Sequence, residues 1–150
     1  MGGSGWGLYM EVTSNVKQIP FAQQMVYDVL SNPSRMEKMK ENIPADMKDK
    51  ADAVTFTENG INITAPGVGA VAMNIIEREE PKTIKFEAGV AMVKGNMWIQ
   101  LLPTSDTSSK MKITIKADVP FFMKGMVQKP LTDGVEKIAD MLSMLPYNMI

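Results

Sequence analysis

The chain contains no cysteine and no histidine. Without cysteine there is no disulfide framework, no thiolate nucleophile and no cysteine-based zinc site. Without histidine the commonest general acid/base and the commonest metal ligand are missing together. A catalytic centre would have to rest on carboxylates, lysines, tyrosines or amides, and no carboxylates recur at the loop spacing of a Ca²⁺ or Mg²⁺ site. No catalytic residues, metal ligands or cofactor are therefore assigned. Charge of one sign is also lacking: 16 basic against 17 acidic residues leave a net charge of −1. Overall charge thus gives no reason to expect a nucleic acid or an anionic membrane as partner. No run approaches the roughly 20 apolar residues of a membrane-spanning helix. A chain free of cysteine is compatible with the cytoplasm, the expected location.

What is present is a chain of 150 residues, 45% of them hydrophobic, enough for one domain that buries about 70% of the surface of its unfolded form. Methionine is abundant, 15 residues in all. Its unbranched thioether fills irregular core gaps and also suits a pliable cavity wall. The Gly/Ser-rich start reads as an added leader over residues 1–9, with a single domain over 10–150.

Within that domain, Glu11 to Ile19 reads as a strand stopped by Pro20. A helix follows over Gln23–Leu30, and a second begins at Pro33, with Asn32 at its N-cap, and ends before Pro44. Val54–Thr57 and Ile61–Thr64 alternate apolar and polar residues around Asn59-Gly60, a hairpin signal. Pro66-Gly67-Val68-Gly69 lacks the Lys-Ser/Thr and strand-to-helix context of a phosphate loop and reads as a turn. Strands through Val71–Ile75, Ile84–Phe86, Met97–Leu102 and Met111–Ala117 are separated by a turn at Glu79–Pro81 and by loops over Gly89–Gly95 and Pro103–Ser109. In the last of them Met111, Ile113, Ile115 and Ala117 face one way and Lys110, Lys112, Thr114 and Lys116 the other. Asn74 is expected to point outward, while the direction of Gln100 is open. Glu77, Glu79, Glu80 and Glu87, among Arg78, Lys82 and Lys85, read as a solvated rim.

From Phe121 to about Leu145 the pattern is helical. Leu131, Gly134, Val135, Ile138, Met141, Leu142 and Leu145 share one face; Asp133, Glu136, Lys137 and Asp140 share the other. Pro130 falls inside this pattern and predicts a kink or break. The predicted class is α+β: a curved antiparallel sheet of about seven strands around a long C-terminal helix, with two short helices after the first strand. A cone-shaped domain of the nuclear-transport-factor type would end in strands, so the C-terminal helix argues against it.

In this order the chain resembles the START-like, or SRPBCC, superfamily of helix-grip proteins, and in particular its small bacterial members. The resemblance is carried by Val16–Pro20, Val26–Ser31, Ile76–Glu87, and Lys124–Leu131 through Ala139–Leu142. Phe21-Ala22 departs from the polar residue common before the first helix. That superfamily includes lipid-transfer domains, pollen-allergen-like ligand binders and polyketide cyclases. The resemblance implies a cavity between sheet and C-terminal helix that holds a small hydrophobic molecule, with binding rather than catalysis as the expected role. Met73, Phe86, Trp98, Phe122, Met126, Leu131, Val135 and Ile138 are the candidate walls, and Met92, Val93 and Phe121 the candidate entrance. Two alternatives stay open. A cyclase- or dehydratase-like enzyme would place an ionisable or amide side chain in the cavity. A protein-interaction module without a ligand would combine a filled core with an exposed apolar patch.

Overall fold

The computed structural model describes residues 7–42, 45–48, 52, 54–65, 69–90 and 93–149. The expected turn at Pro66–Val68 and the expected entrance residue Met92 lie outside them. Eight strands form one antiparallel sheet: β1 (Gly7–Thr13), β2 (Lys17–Ile19), β3 (Val54–Phe56), β4 (Gly60–Ala65), β5 (Gly69–Glu79), β6 (Thr83–Val90), β7 (Val93–Ser105) and β8 (Ser108–Pro120). Their order is β1-β8-β7-β6-β5-β4-β3, with β2 also paired to β8. Helices α1 (Gln23–Leu30) and α2 (Pro33–Met39) follow β2, and α3 (Lys124–Ser143) follows β8 after a short 3₁₀ turn at Phe121–Met123.

The eighth strand arises because the single strand expected over Glu11–Ile19 is two. Thr13 lies opposite Thr114 and Lys17 opposite Met111, so three residues, Ser14 to Val16, face two on β8. Such a bulge bends the strand and re-aims its side chains. The buried Ser14 holds the irregularity: its amide donates to the Ile113 carbonyl (2.8 Å) and its Oγ accepts from the Ile113 amide (3.0 Å). β1 also starts earlier than expected, with Gly7 and Tyr9, assigned to the leader, opposite Pro120 and Asp118.

Several expected loops are strand. β6 and β7 run to Val90 and from Val93, so Gly89 and Val90 pair with Lys94 and Val93 where the sequence predicts a loop. Gly95 is there for closeness, because a Cβ would come within 2.5 Å of the Lys116 carbonyl oxygen. In the stretch expected as a loop after Pro103, β7 continues to Ser105 and β8 starts at Ser108, with the Ser108 hydroxyl 2.6 Å from those of both Thr104 and Ser105. The hairpin turn lies one residue early. Thr57 donates to the Gly60 carbonyl (2.9 Å), so Glu58 and Asn59 make the turn and Gly60 opens β4.

Edge strand β3 is closed off by α2 and the turn after it. Glu37 accepts from the Phe56 amide (2.7 Å) and Lys40 donates to the Val54 carbonyl (2.6 Å), which satisfies groups that would otherwise offer a template for another strand. The acidic rim is also partly structural: Arg78 donates twice to the Ser31 carbonyl (3.0 and 3.2 Å), fastening the end of α1 to β5. The N-cap of α1 is Ala22, with no side-chain bond, as its sequence foretells.

The inner face of the sheet, the buried faces of α1 and α2, and the second half of α3 close on one core. It contains Val26, Leu30, Met36, Ile84, Phe86, Ile99, Ile113 and Leu142, each fully or almost fully buried. Each such side chain contributes about 1.5–3 kcal/mol on burial. Tyr147 seals the end of the core. Its ring meets Phe21 edge-on at 5.9 Å, its hydroxyl donates to the Leu142 carbonyl, and burial pushes its phenol well above the usual range. α3 is continuous from Lys124 to Ser143 with Pro130 inside it, so the helix does not break there. Proline has no amide to give the Met126 carbonyl, but that turn faces water, which can take the amide's place.

Candidate functional site

A second, smaller apolar cluster joins Met10, Val93, Ala117, Val119 and Val127, with Met123 and Leu131 packed against it. Between the two clusters lies a cleft of about 80 Å³, lined by Val71, Met73, Ala88, Gly89, Val93, Gly95, Asn96, Met97, Ile115, Ala117, Val127 and Leu131. Its origin is a cross-strand row. Met73 faces Ala88, Ala88 faces Gly95, Gly95 faces Ala117, and Ala117 faces Met10. Three adjacent strands thus present their smallest side chains at the same level. The neighbouring row, Ile75, Phe86, Met97 and Ile115, is bulky and fills its space. The floor drops where side chains are short, and Val127 and Leu131 of α3 form the roof.

No ionisable side chain lines this cleft among the described residues. The one amide, Asn96, belongs to the alternation that faces outward, opposite Glu87 and Lys116, and its Nδ2 donates to the Phe86 carbonyl (3.2 Å). The same residues hold no group of three or more acidic side chains arranged for a metal ion. A volume of this size suits a small apolar group: an apolar cavity of about 150 Å³ holds benzene, whereas drug-sized ligands need about 300–1,000 Å³.

Of the eight candidate wall residues, the structure brings Met73 and Leu131 to the cleft. Phe86, Val135 and Ile138 are buried in the main core and do not line the cleft, and Phe122 and Met126 are exposed. Of the candidate entrance residues, Val93 lines the cleft and is buried, while Phe121 is exposed. Trp98 is on the opposite face of the sheet. It lies across from Lys85 and Thr114, and the ammonium groups of Lys85 and Lys116 sit 5.3 and 5.5 Å from its ring centroid. Beside it Gln100 points outward and accepts from the Thr114 hydroxyl (3.0 Å), and Asn74 is exposed as expected. Tyr9, Asn74, Glu87, Lys94, Asn96, Lys116 and Asp118 border an open hollow of about 720 Å³ on this outer face, where acids and bases alternate.

The two halves of α3 are held differently. In the second half Val135, Ile138, Ala139, Met141 and Leu142 are buried, and the polar face is tied down as well. Lys17 of β2, re-aimed by the bulge, reaches Asp140 (2.7 Å) and Glu136 (2.9 Å), while the Asn15 amide donates to the other Glu136 oxygen. The hydrogen bond to Asp140, then that to Glu136, raises the Lys17 ammonium above its ordinary value. Lys17, with the Asn15 amide, lowers the Glu136 carboxyl below its own. The polar face of α3 is thus clamped to β2 at Glu136 and Asp140. In the first half only Val127 is buried.

No family model matches the chain, and no curated protein matches it. Solved structures do. A norcoclaurine synthase mutant from Thalictrum flavum, in complex with a transition-state analogue, superposes with a TM-score of 0.68 at 15% identity, covering 91% of this chain and 93% of that one. The fold is START-like. CalU16 from Micromonospora echinospora matches this START-like domain with a TM-score of 0.53 at 12% identity over 92% and 82% of the two chains. An Hsp90 activator from Plasmodium falciparum matches with 0.50 at 9% over 82% and 84%. At such identities the likeness is one of fold. No helix among the described residues of the START-like domain is long and apolar enough to cross a membrane.

Proposed function

We propose that this START-like domain binds a small hydrophobic molecule in the cleft between the sheet and the first half of α3. The observation that carries the reading is the row Ala88–Gly95–Ala117 under a roof of Val127 and Leu131. Fully side-chained strands would have filled this space, as they do one row away. The wall offers apolar contact and no ionic partner, so the ligand is neutral where it enters, and its affinity comes from desolvation and shape. The lightly held half of α3 lets the cleft grow: lifting its first turns exposes little beyond Val127 and Leu131. Met73, Val93 and Leu131 form wall and rim, and Phe86, Val135 and Ile138 act as rigid support behind them. The bound structure of norcoclaurine synthase supports the reading, since a fold of this shape there holds a small molecule. A cytoplasmic carrier fits these features; the apolar lining speaks against a cyclase-like enzyme.

Native mass spectrometry of freshly purified protein, followed by a thermal-shift panel of lipids, sterols, isoprenoids and aromatic polyketides, tests this. A ligand at about a hundredfold excess over its dissociation constant adds about 2.7 kcal/mol of stability. Ala88→Leu, which fills the floor, should remove that shift. A chain that purifies empty and is stabilised by nothing in the panel would refute the proposal.

A further inference from the structure

The least explained part of the surface is the start of α3. Phe121, Phe122 and Met126 are 56%, 62% and 64% exposed, and the two rings stack edge-on with centroids 5.8 Å apart. Tyr9, 77% exposed, lies at the same end of the sheet, opposite Asp118 on β8. Exposed large side chains scattered singly need no explanation, but a group of them at one tip does. The local charge is equally distinct. Net charge over the chain is −1, yet between Asp118 and Asp133 the only charged side chains are Lys124 and Lys129. Both are exposed. Lys129 spans to Asp133 (3.1 Å) with its side chain 84% in solvent, so that pairing leaves it free to turn elsewhere.

Aromatic and methionine side chains at a tip, with two lysines and no acid between Asp118 and Asp133, match the chemistry of an anionic bilayer surface. The rings and thioether enter the headgroup–acyl boundary, and the ammonium groups stay with the phosphates and carboxylates. A protein groove would ask for shape on both sides, whereas this segment is a protrusion of one short turn and the first turn of a helix. We propose that the Phe121–Lys129 segment docks the protein reversibly on membranes rich in anionic lipid. Val127, buried on the opposite side of the same turns, roofs the cleft, so docking and access to the cleft share one element. The docking itself does not depend on what the cleft holds.

Sedimentation of the full chain with vesicles of phosphatidylcholine alone, and of phosphatidylcholine with phosphatidylserine, tests this. Binding is expected with the anionic vesicles and to weaken as salt is raised. Lys124→Gln/Lys129→Gln should lower it about thirtyfold, each lysine near such a surface contributing about fivefold. Phe121→Ala/Phe122→Ala/Met126→Ala should lower it by at least about tenfold. All five side chains are exposed, so circular dichroism and melting temperature should be unchanged, and this control separates lost docking from lost folding. Absence of binding to the anionic vesicles would overturn the proposal, as would equal binding by the wild type and the triple alanine variant. A concentration-dependent dimer that the triple variant abolishes, with no vesicle binding, would instead make the tip a contact between two copies and would also overturn it.

Discussion

The two halves of α3 form one continuous helix and are held to the sheet in opposite ways. From Val135 onward the helix buries five side chains and is clamped by Lys17 through Glu136 and Asp140. Before Pro130 it buries Val127 alone and leaves Met126 in water. Helical stability in proteins comes mostly from packing of an amphipathic face. The first half therefore has little of its own and draws its order from the second. The cleft of about 80 Å³ sits under the half with the fewer buried contacts, the half that local opening would release first.

Substitutions can break that contrast. Leu142→Ala, at a fully buried site, should cost about 2–5 kcal/mol in urea unfolding, while Met126→Ala should stay within about 0.5 kcal/mol. Comparable losses at the two sites would end the distinction. Pro130→Ala supplies the amide that the Met126 carbonyl lacks and removes ring crowding. It should stabilise by up to about 3 kcal/mol and slow hydrogen exchange in the turns before residue 131 more than in those after it. If exchange slows evenly along α3, Pro130 is not the boundary. Gly95→Ala, whose methyl would press on the Lys116 carbonyl, should destabilise by about 1–3 kcal/mol.

The smallest effect sharpens the picture through pH. The lowered Glu136 carboxyl contributes stability above its ordinary unfolded value, and that contribution is lost as pH falls through the folded value. The raised Lys17 ammonium contributes below its ordinary value, and its share is lost as pH rises through the folded one. Lys17→Met should therefore cost about 1 kcal/mol or less at neutral pH and flatten the acid limb of the stability profile. An acid limb of unchanged slope would mean that the clamp is not what holds the second half.

Much of the fold was legible from period alone. The alternation of β8, the apolar face of α3 and the order of elements depend on neighbours in sequence. The cleft was not, because it depends on the register of four strands. Ala88, Gly95 and Ala117 are unremarkable singly and make a floor only when they fall at one level. Trp98 was misplaced although a signal existed. Lys94, Asn96 and Gln100 share its alternation, and their polarity points that set outward, but the run Met97–Leu102 is apolar enough to hide the phase. The clamp joins Lys17 to residues more than a hundred positions away, and no local pattern announces it.

The extra residue at Ser14–Val16 also acts as a shift of reading frame within the sheet. Ahead of it the even-numbered residues Met10 and Val12 look inward; after it the odd-numbered Lys17 and Ile19 do. Deleting Val16 would leave two residues facing two, so that one continuous ladder keeps Lys17 opposite Met111 and Ile19 opposite Ser109 on the inner face and only the bend is lost. One extra residue thus lets a stretch of opposite parity deliver Lys17 to the last helix from the far side of the sequence.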